Sequence, residues 1–286
     1  YQQHGRRLPW RETRDAYRIL VSEIMLQQTQ VTRVTVFYER WLAQFPTWED
    51  LAKASNADVI HAWAGLGYNR RALMLRDIAV QVVEKGLPDN EAGWHTLKGI
   101  GPYTAAALSN FSLHKRALPI DTNIRRVIGR ALLSIPYPDL KDDAAILPEL
   151  DRFTPTKGNF YDVPQALFDL ATMVCTKTAP QCTVCPLNKI CKARPGFEQG
   201  THIAPAKGSR KPVERIHENK PYPDRIYRGR ILKLVREAPG TWDQDILGPA
   251  IDPTYDPKKD LDWVCAMVDR LIKDQLLRTK NGFLEV

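Results

Sequence analysis

The sequence has no long hydrophobic run. None of its 286 residues lies in an uninterrupted apolar stretch of about 18 residues, the length that a membrane-spanning helix requires. The beginning of the sequence is interrupted repeatedly by Arg and Glu and contains no apolar segment of the kind that directs export. We therefore expect a cytoplasmic protein that has no membrane partner.

Strand patterns are also scarce. Up to residue 200, no segment alternates between polar and apolar residues as a half-buried strand would. Apolar residues recur instead at three- and four-residue spacing, as Leu20, Ile24 and Val31 do. This periodicity predicts a mainly α fold, with helical patterns over residues 14–41, 47–54, 58–64, 70–85, 103–113, 122–133 and 163–174.

Cysteine is rare, and most of it is clustered. Of five cysteines, four lie within one short segment: Cys175, Cys182, Cys185 and Cys191. In a reducing compartment, clustered thiols indicate a metal centre more often than disulfides. Zinc sites usually contain two close pairs, whereas only Cys182 and Cys185 form one here. The uneven spacing favours a [4Fe–4S] cluster over zinc, with disulfides as a third alternative. Cys265 stands alone in an apolar pattern that is typical of a core helix.

Positive charge is in excess and is unevenly distributed. The chain has 41 Lys+Arg against 33 Asp+Glu, a formal net charge of +8. Between Lys207 and Arg236, 10 Lys/Arg face only 3 Asp/Glu. A strip of this kind favours a phosphate-binding arm, although a solvated linker would have a similar composition.

The last third of the chain changes character. Residues 195–224 are rich in Pro and Gly and show no apolar period, which predicts a basic linker. Beyond it, two apolar helical patterns precede Asn281-Gly282, a dipeptide typical of two-residue β-hairpin turns. Helix, helix and hairpin in this order predict a winged-helix-like α+β module over residues 225–286. Such modules commonly bind DNA, but many bind protein.

A glycine-rich turn opens a helix at residues 97–106, which read Leu-Lys-Gly-Ile-Gly-Pro-Tyr-Thr-Ala-Ala. Gly99 and Gly101 permit a tight turn with exposed backbone, and the helix that follows offers unpaired N–H groups. Together with Thr104, they are candidates for holding a DNA phosphate without reading the base sequence.

This string, followed by Asp121 and by the cysteine segment, resembles the helix-hairpin-helix glycosylases of base excision repair. Over residues 4–192 the chain is similar to the branch that contains endonuclease III and the adenine-specific mismatch glycosylases, the MutY family. The resemblance implies a six-helix barrel domain over residues 14–120 and an iron–sulfur domain formed by residues 1–13 and 121–194. It also implies a double-stranded DNA partner that contains a mismatched or damaged base.

Glu23 is the residue that separates the branches. It lies in Ser-Glu-Ile-Met-Leu-Gln-Gln-Thr-Gln, residues 22–30, which resembles the adenine-glycosylase motif. Its helix neighbours Ile19, Leu20 and Leu26 are apolar, so its pKa is expected to be raised, as a proton donor to a leaving base requires. Tyr103 stands where the bifunctional enzymes have a lysine, which predicts base removal without efficient strand cleavage.

The resemblance extends to further site residues. Asp121 is expected to cap a helix and to stabilise a cationic sugar, and Asn123 to shape the sugar pocket with Tyr103. The remaining candidates for contacting the extruded base or wedging into the duplex are Trp10, Arg11, Gln28, Thr29, Leu66, Gly67, Tyr68 and Asp169.

The tail departs from the family pattern. Many adenine glycosylases carry a C-terminal Nudix-like domain that recognises 8-oxoguanine, and residues 225–286 instead resemble the tail of shortened relatives. Only Gln28, Thr29 and the segment 66–68 remain to favour 8-oxoguanine over guanine. We expect a nucleoid-associated monomer. The alternatives are a thymine or uracil mismatch glycosylase and, in a different class, an iron–sulfur DNA-binding regulator without catalysis.

Overall fold

The computed structural model describes residues 1–154, 156–157, 160–205, 215–218 and 220–286. These residues fold mainly into helices, as the periodicity predicts. The helices are α1 (Ala16–Leu26), α2 (Val31–Gln44), α3 (Trp48–Lys53), α4 (Asn56–Trp63), α5 (Arg70–Lys85), α6 (Glu91–His95), α7 (Pro102–Phe111), α8 (Thr122–Leu133), α9 (Asp143–Ile146), α10 (Asp162–Met173), α11 (Arg194–Glu198), α12 (Asp224–Glu237), α13 (Gln244–Ile251) and α14 (Pro257–Lys273).

The chain divides into two compact units. Unit 1 comprises residues 1–31 and 81–208, and unit 2 comprises residues 32–80 and 209–286. In unit 1, α1 packs against α7, and α8 packs against α10. The α8–α10 contact buries an apolar cluster that includes Ile128, Leu132 and Leu167. This packing fixes the beginning of α8, where Asp121 lies. The predicted division into four segments stays a prediction.

Unit 2 contains α2 apart from its first residue, α3, α4, the first two-thirds of α5 and the C-terminal elements. Trp41 and Trp63 pack edge to face with ring centroids 5.4 Å apart, and both are almost completely buried. In the tail, α14 packs against α12 and α13. Strands β1 (Arg278–Lys280) and β2 (Phe283–Glu285) pair antiparallel, and Asn281 and Gly282 both have positive φ, as the predicted two-residue turn requires.

Two differences from the sequence prediction have local causes. The helical pattern over residues 14–41 is broken into α1 and α2 because Gln28 adopts a left-handed φ of 57°. The prediction missed α13, which begins where the Asp243 side chain accepts hydrogen bonds from two backbone N–H groups. Elsewhere the predicted ranges are confirmed to within three residues, and α5 and α8 match theirs fully.

Residues 206–214 and 219, which belong to the predicted linker, lie outside the described residues. The described beginning of that segment is not all irregular, because α11 covers residues 194–198. Among the described helices, none combines the length and the apolar composition needed to span a bilayer.

Candidate active site

Glu23 is a buried acid on α1. Residues 19–25 are all buried, and Glu23 is only 7% exposed. The Tyr103 hydroxyl donates a hydrogen bond of 2.8 Å to Glu23 Oε2. Burial raises the pKa of Glu23 to about 7, and the charge of Asp121 adds to this increase, while the Tyr103 hydrogen bond and the charge of Arg11 oppose it. A carboxyl group with this pKa is partly protonated near neutral pH and can act as an acid.

Tyr103 remains a hydrogen-bond donor in this environment. Burial, followed by the negative charge of Glu23, raises the pKa of Tyr103 well above its ordinary value. The phenol therefore keeps its proton, and its oxygen supplies a fixed donor to the Glu23 carboxyl. The side chain comes from the first turn of α7, so the glycine-rich turn positions it.

Asp121 caps the N-terminus of α8. Its Oδ1 accepts hydrogen bonds from the backbone N–H groups of Asn123 and Ile124, both at 2.8 Å, and the Asn123 side-chain amide donates to Oδ2 at 2.6 Å. The N-terminal end of the helix dipole adds positive potential at this carboxylate. Asp121 and Glu23 lie in the same unit, close enough for the charge of one to shift the pKa of the other.

Arg126 holds the Asn123 amide in this orientation. Its Nη2 donates to Asn123 Oδ1 at 3.2 Å and to the carbonyl of Ala171 at 2.9 Å, and its Nε donates to the carbonyl of Cys175 at 2.9 Å. Because the Asn123 oxygen accepts from Arg126, its amide nitrogen is directed to Asp121.

Asp169 is buried too, but in a cationic environment. Arg11 donates one hydrogen bond to each of its oxygens, at 2.8 and 2.9 Å, and Arg6 binds it through both its side chain and its backbone N–H, at 2.6 and 2.9 Å. Burial alone would raise the pKa of Asp169, but the hydrogen bonds from Arg11 and Arg6 lower it. Four hydrogen bonds occupy the acceptor sites of a carboxylate, so this group remains ionised and fully bound.

The segment Pro9–Arg11 forms a short 3₁₀ turn. Trp10 is buried at 6% exposure, and Tyr161 donates a hydrogen bond of 2.8 Å to the Arg11 carbonyl. Asp169 therefore fixes the Arg11 guanidinium, and Tyr161 fixes the Arg11 backbone. Held in this way, Arg11 contributes a positive charge that lowers the pKa of Glu23.

The glycine-rich turn joins α6 to α7. Leu97 and Ile100 are buried and anchor it, and Gly99 adopts a φ of 103° that residues with a side chain rarely tolerate. Gly101 is the N-cap of α7, and a Cβ there would meet no atom within 4 Å. The backbone is thus open to an approaching phosphate, whereas the Thr104 side chain is buried.

Two exposed loops contain the candidate wedge residues. In unit 1, Gln28 is exposed and Thr29 half-buried between α1 and α2. In unit 2, Tyr68 is 59% exposed, while Leu66 is buried. The Gly67 carbonyl accepts hydrogen bonds of 3.0 Å from the side chains of Trp63 and Arg71, which fix this loop.

The clustered cysteines surround a common space. Cys175, Cys182, Cys185 and Cys191 line a void of about 310 Å³, part of it open to solvent, together with apolar groups such as Phe197. All four thiols are free and half-buried. In the part of the chain that the structure describes, no three Cys, His, Asp or Glu side chains are arranged around a single metal ion. Four thiols lining one void are the ligand set that a [4Fe–4S] cluster requires, and the same set can bind zinc.

Arg130 closes this void on the side of α8. It donates hydrogen bonds of 2.7 Å to the carbonyls of Thr176 and Lys177 and one of 3.4 Å to Cys175 Sγ. Its guanidinium also stacks on Phe197, 4.4 Å from the ring centroid. The cysteine segment is therefore tied to the same helix whose first residue follows Asp121.

Sequence reasoning missed several residues that organise the site: Arg6, Arg126, Arg130 and Tyr161. Their partners are distant in sequence, as in the Arg6–Asp169 ion pair, so spacing gave no signal for them. For Arg126 and Arg130 a weak signal exists, because they lie four residues apart on one face of the same helix.

Comparison with known proteins places this geometry in a family. The HhH-GPD superfamily of base excision DNA repair proteins matches residues 21–146, which contain Glu23, Tyr103 and Asp121. An adenine DNA glycosylase of Mycolicibacterium smegmatis is 37% identical over 245 residues, 82% of this chain and 78% of that protein.

Two solved structures share the fold. A thermostable thymine-DNA glycosylase has a TM-score of 0.60 at 28% identity, covering 68% of this chain and 89% of that one. An endonuclease III–DNA complex has a TM-score of 0.57 at 18% identity, covering 65% and 87%. The fold is therefore that of the endonuclease III-like proteins, and with identity extending over most of both chains, this protein belongs to the adenine DNA glycosylase family.

Proposed function

We propose that this adenine DNA glycosylase acts in base excision repair on adenine mispaired with guanine or 8-oxoguanine, with Glu23 as its acid. The observation that carries the proposal is the burial of the Glu23 carboxyl, which is 7% exposed and accepts a hydrogen bond from Tyr103. Burial raises the pKa of this carboxyl to about 7. Adenine is a poor leaving group until its N7 is protonated, so the reaction needs an acid that still holds its proton near neutral pH. Asp169 does not meet this requirement, because two arginines keep it ionised.

The reaction begins when the mispaired adenine leaves the base stack, which is least costly at a mismatch. Glu23 donates its proton to N7, and the electron pair of the C1′–N9 bond moves onto the base. The sugar is left as a cation, which the Asp121 carboxylate stabilises as in retaining glycoside hydrolysis. A water molecule then adds at C1′ and gives a proton back to Glu23, which restores the acid.

Asn123 and Tyr103 position these two carboxyl groups. The Asn123 amide and the first N–H groups of α8 prevent Asp121 from rotating, so its negative charge needs no reorganisation when the sugar becomes cationic. Tyr103 fixes one Glu23 oxygen and leaves the other for the base. Since a phenol cannot form an imine with the sugar, the enzyme releases the base without efficient strand cleavage.

We assign a [4Fe–4S] cluster to Cys175, Cys182, Cys185 and Cys191. The support is that all four thiols line one void, and that only Cys182 and Cys185 form a close pair in the sequence, whereas zinc sites usually contain two such pairs. Such a cluster, when bound, can hold the segment in one conformation and exchange single electrons. Arg130 and the backbone around Cys175 hold the cysteine segment against α8. Metal analysis of the purified protein that found one zinc and no iron per chain would contradict this assignment.

DNA contacts are proposed at three places. The exposed backbone at Gly99 and the open space beside Gly101 grip a phosphate next to the target nucleotide. Gln28 and Thr29 form one wedge into the duplex, and Tyr68, exposed on its fixed loop, forms a second. Apart from these three places, we assign the three tail helices and the hairpin to a winged-helix-like module.

A duplex series tests the proposed substrate. Oligonucleotides with A, T or U placed opposite G and opposite 8-oxoguanine would be incubated with excess enzyme, and released base and strand nicks would be measured separately. We expect release of adenine from both mispairs, with alkali-dependent nicks only. Release of thymine or uracil but not adenine would establish the mismatch-glycosylase alternative, and no release from any duplex would favour a regulator.

A further inference from the structure

A groove lined by arginines lies within the C-terminal part of unit 2. It encloses about 860 Å³ of empty space, part of it open to solvent. One wall is the beginning of α12, with Asp224, Arg225 and Arg228, and the other is the second half of α14, with Arg270. Arg215 completes the rim. Nothing in the adenine excision chemistry uses this groove.

The groove is strongly cationic. Four arginines line it, and Asp224 is the only acidic residue among its described lining residues. That acid is already engaged, because it accepts a hydrogen bond of 2.9 Å from the Trp263 indole and lies 3.9 Å from the Arg215 guanidinium. The Arg215 and Arg270 side chains are 71% and 52% exposed, so an incoming ligand can reach them, although Arg270 Nε also lies 3.3 Å from Asp274 Oδ2.

The floor of the groove is rigid and closed. Trp263 stacks on His217 with ring centroids 4.9 Å apart and packs edge to face against Tyr227 at 4.8 Å. Trp263 and Met267 are each only 3% exposed. No apolar pocket is therefore open to receive an anchoring side chain, which is what a bound peptide would require. A ligand in the groove therefore meets arginine guanidinium groups above a closed floor of buried side chains.

We propose that this groove binds the phosphodiester backbone of double-stranded DNA. A guanidinium group can donate two parallel hydrogen bonds to the oxygens of one phosphate. Arginines around a closed floor therefore provide positive charge and a fitting shape without base-specific contacts. The groove also accounts for part of the basic strip over residues 207–236, since Arg215, Arg225 and Arg228 belong to it. Its contribution is to general DNA affinity, independent of the mispair.

The test compares two double variants of the full chain that remove the same charge from the same helix. Arg225→Gln/Arg228→Gln removes one wall of the groove. Lys233→Gln/Arg236→Gln has the same spacing two turns later on α12, and neither residue lines the groove. The dissociation constant for an undamaged duplex would be measured at several salt concentrations, together with the thermal midpoint of each variant.

For the groove variant, we expect weaker binding at low salt and a shallower dependence of log K on log[salt]. Each lost phosphate contact reduces that slope by about 0.9, hence by about 1.8 for the pair. The control should retain the slope of the unmodified protein. Adenine release by saturating enzyme should be unchanged in both, because the groove takes no part in the chemistry.

Equal slopes for the groove variant, the control and the unmodified protein would overturn the proposal, as would binding of an acidic peptide with DNA affinity intact. If the double variant is destabilised, the exposed Arg215→Gln variant replaces it, with an expected slope change of about 0.9. The undamaged duplex keeps the result independent of the excised base, so this proposal and the proposed function can fail separately.

Discussion

Two buried carboxyl groups of unit 1, Glu23 and Asp169, have nearly the same exposure and opposite chemistry. Glu23 is 7% exposed and Asp169 is 3% exposed. Glu23 accepts a hydrogen bond from the Tyr103 phenol and has a raised pKa, whereas Asp169 binds two arginines and has a lowered pKa. The depth of burial alone therefore does not determine whether a carboxyl group can act as an acid. Its hydrogen-bonding and charged partners decide which protonation state the fold stabilises.

Arg11 connects the two groups. It binds Asp169 directly and lowers the pKa of Glu23 only through its charge. Because Asp169 neutralises and fixes the guanidinium, Arg11 acts on Glu23 from a distance without forming an ion pair with it. The site thus retains a cationic residue while its acid is still partly protonated near pH 7.

The largest expected effect follows from replacing the acid. Glu23→Gln retains the shape and removes the transferable proton, so adenine release should fall by at least about 100-fold. Duplex affinity should be unchanged, as measured by a binding assay on the same mispair. The control is Glu84→Gln on the exposed face of α5, which should leave both quantities intact. Full activity of Glu23→Gln would favour the regulator alternative.

The second prediction concerns the cationic environment of Asp169. Arg11→Met leaves Asp169 with Arg6 alone and should lower the free energy of unfolding by about 3 kcal/mol in urea denaturation. Arg14→Met, at an exposed position, is the control and should change little. Adding Asp169→Leu to Arg11→Met should recover much of the loss, because no unpaired charge remains buried. Equal stability of Arg11→Met and Arg14→Met would contradict the importance of this ion pair.

The third prediction concerns stability and pH. The folded state holds the Glu23 proton up to pH about 7, whereas the unfolded chain releases it near the ordinary value of 4.5. The contribution of Glu23 to the free energy of unfolding is therefore fully present below pH 4.5 and is lost as the pH rises through 7. Glu23→Gln should be more stable than the unmodified protein at pH 8, by about 3 kcal/mol at most, and equal near pH 4. Thermal midpoints at both pH values measure this, and a variant less stable at pH 8 would contradict it.

The smallest effect concerns the phenol. Because the Tyr103 hydrogen bond lowers the pKa of Glu23, Tyr103→Phe should move the alkaline limb of the single-turnover rate profile upward, by up to about one pH unit. Tyr222→Phe, at an exposed position of unit 2, is the control and should not move it. A downward shift in Tyr103→Phe would show that the phenol stabilises the neutral acid instead.

Much of the fold was predictable because its signals are local. Periodicity alone located α5 and α8 to the residue, and the Asn281-Gly282 turn located the hairpin. The break between α1 and α2 was not predictable, since a glutamine with positive φ has no compositional signature. Helix α13 was missed although Asp243, its capping residue, was a usable signal.

For the site, the sequence indicated single residues better than their environments. The apolar neighbours of Glu23 predicted its raised pKa, and the position of Asp121 before a helix predicted its cap. Spacing carries no sign that Asp169 pairs with Arg6, 163 positions away, and its place in the base pocket stays a prediction. Long-range pairing of this kind is set by packing and leaves no periodic trace.

The most direct test of the central claim is the pKa of Glu23 itself. In protein labelled with ¹³C at the glutamate side-chain carboxyl, the Glu23 resonance would be assigned by its absence in Glu23→Gln and followed from pH 4 to pH 9. We expect it to titrate near pH 7, well above the ordinary glutamate value of 4.5. Titration near that ordinary value would mean that this carboxyl is ionised at neutral pH and is not the acid that releases adenine.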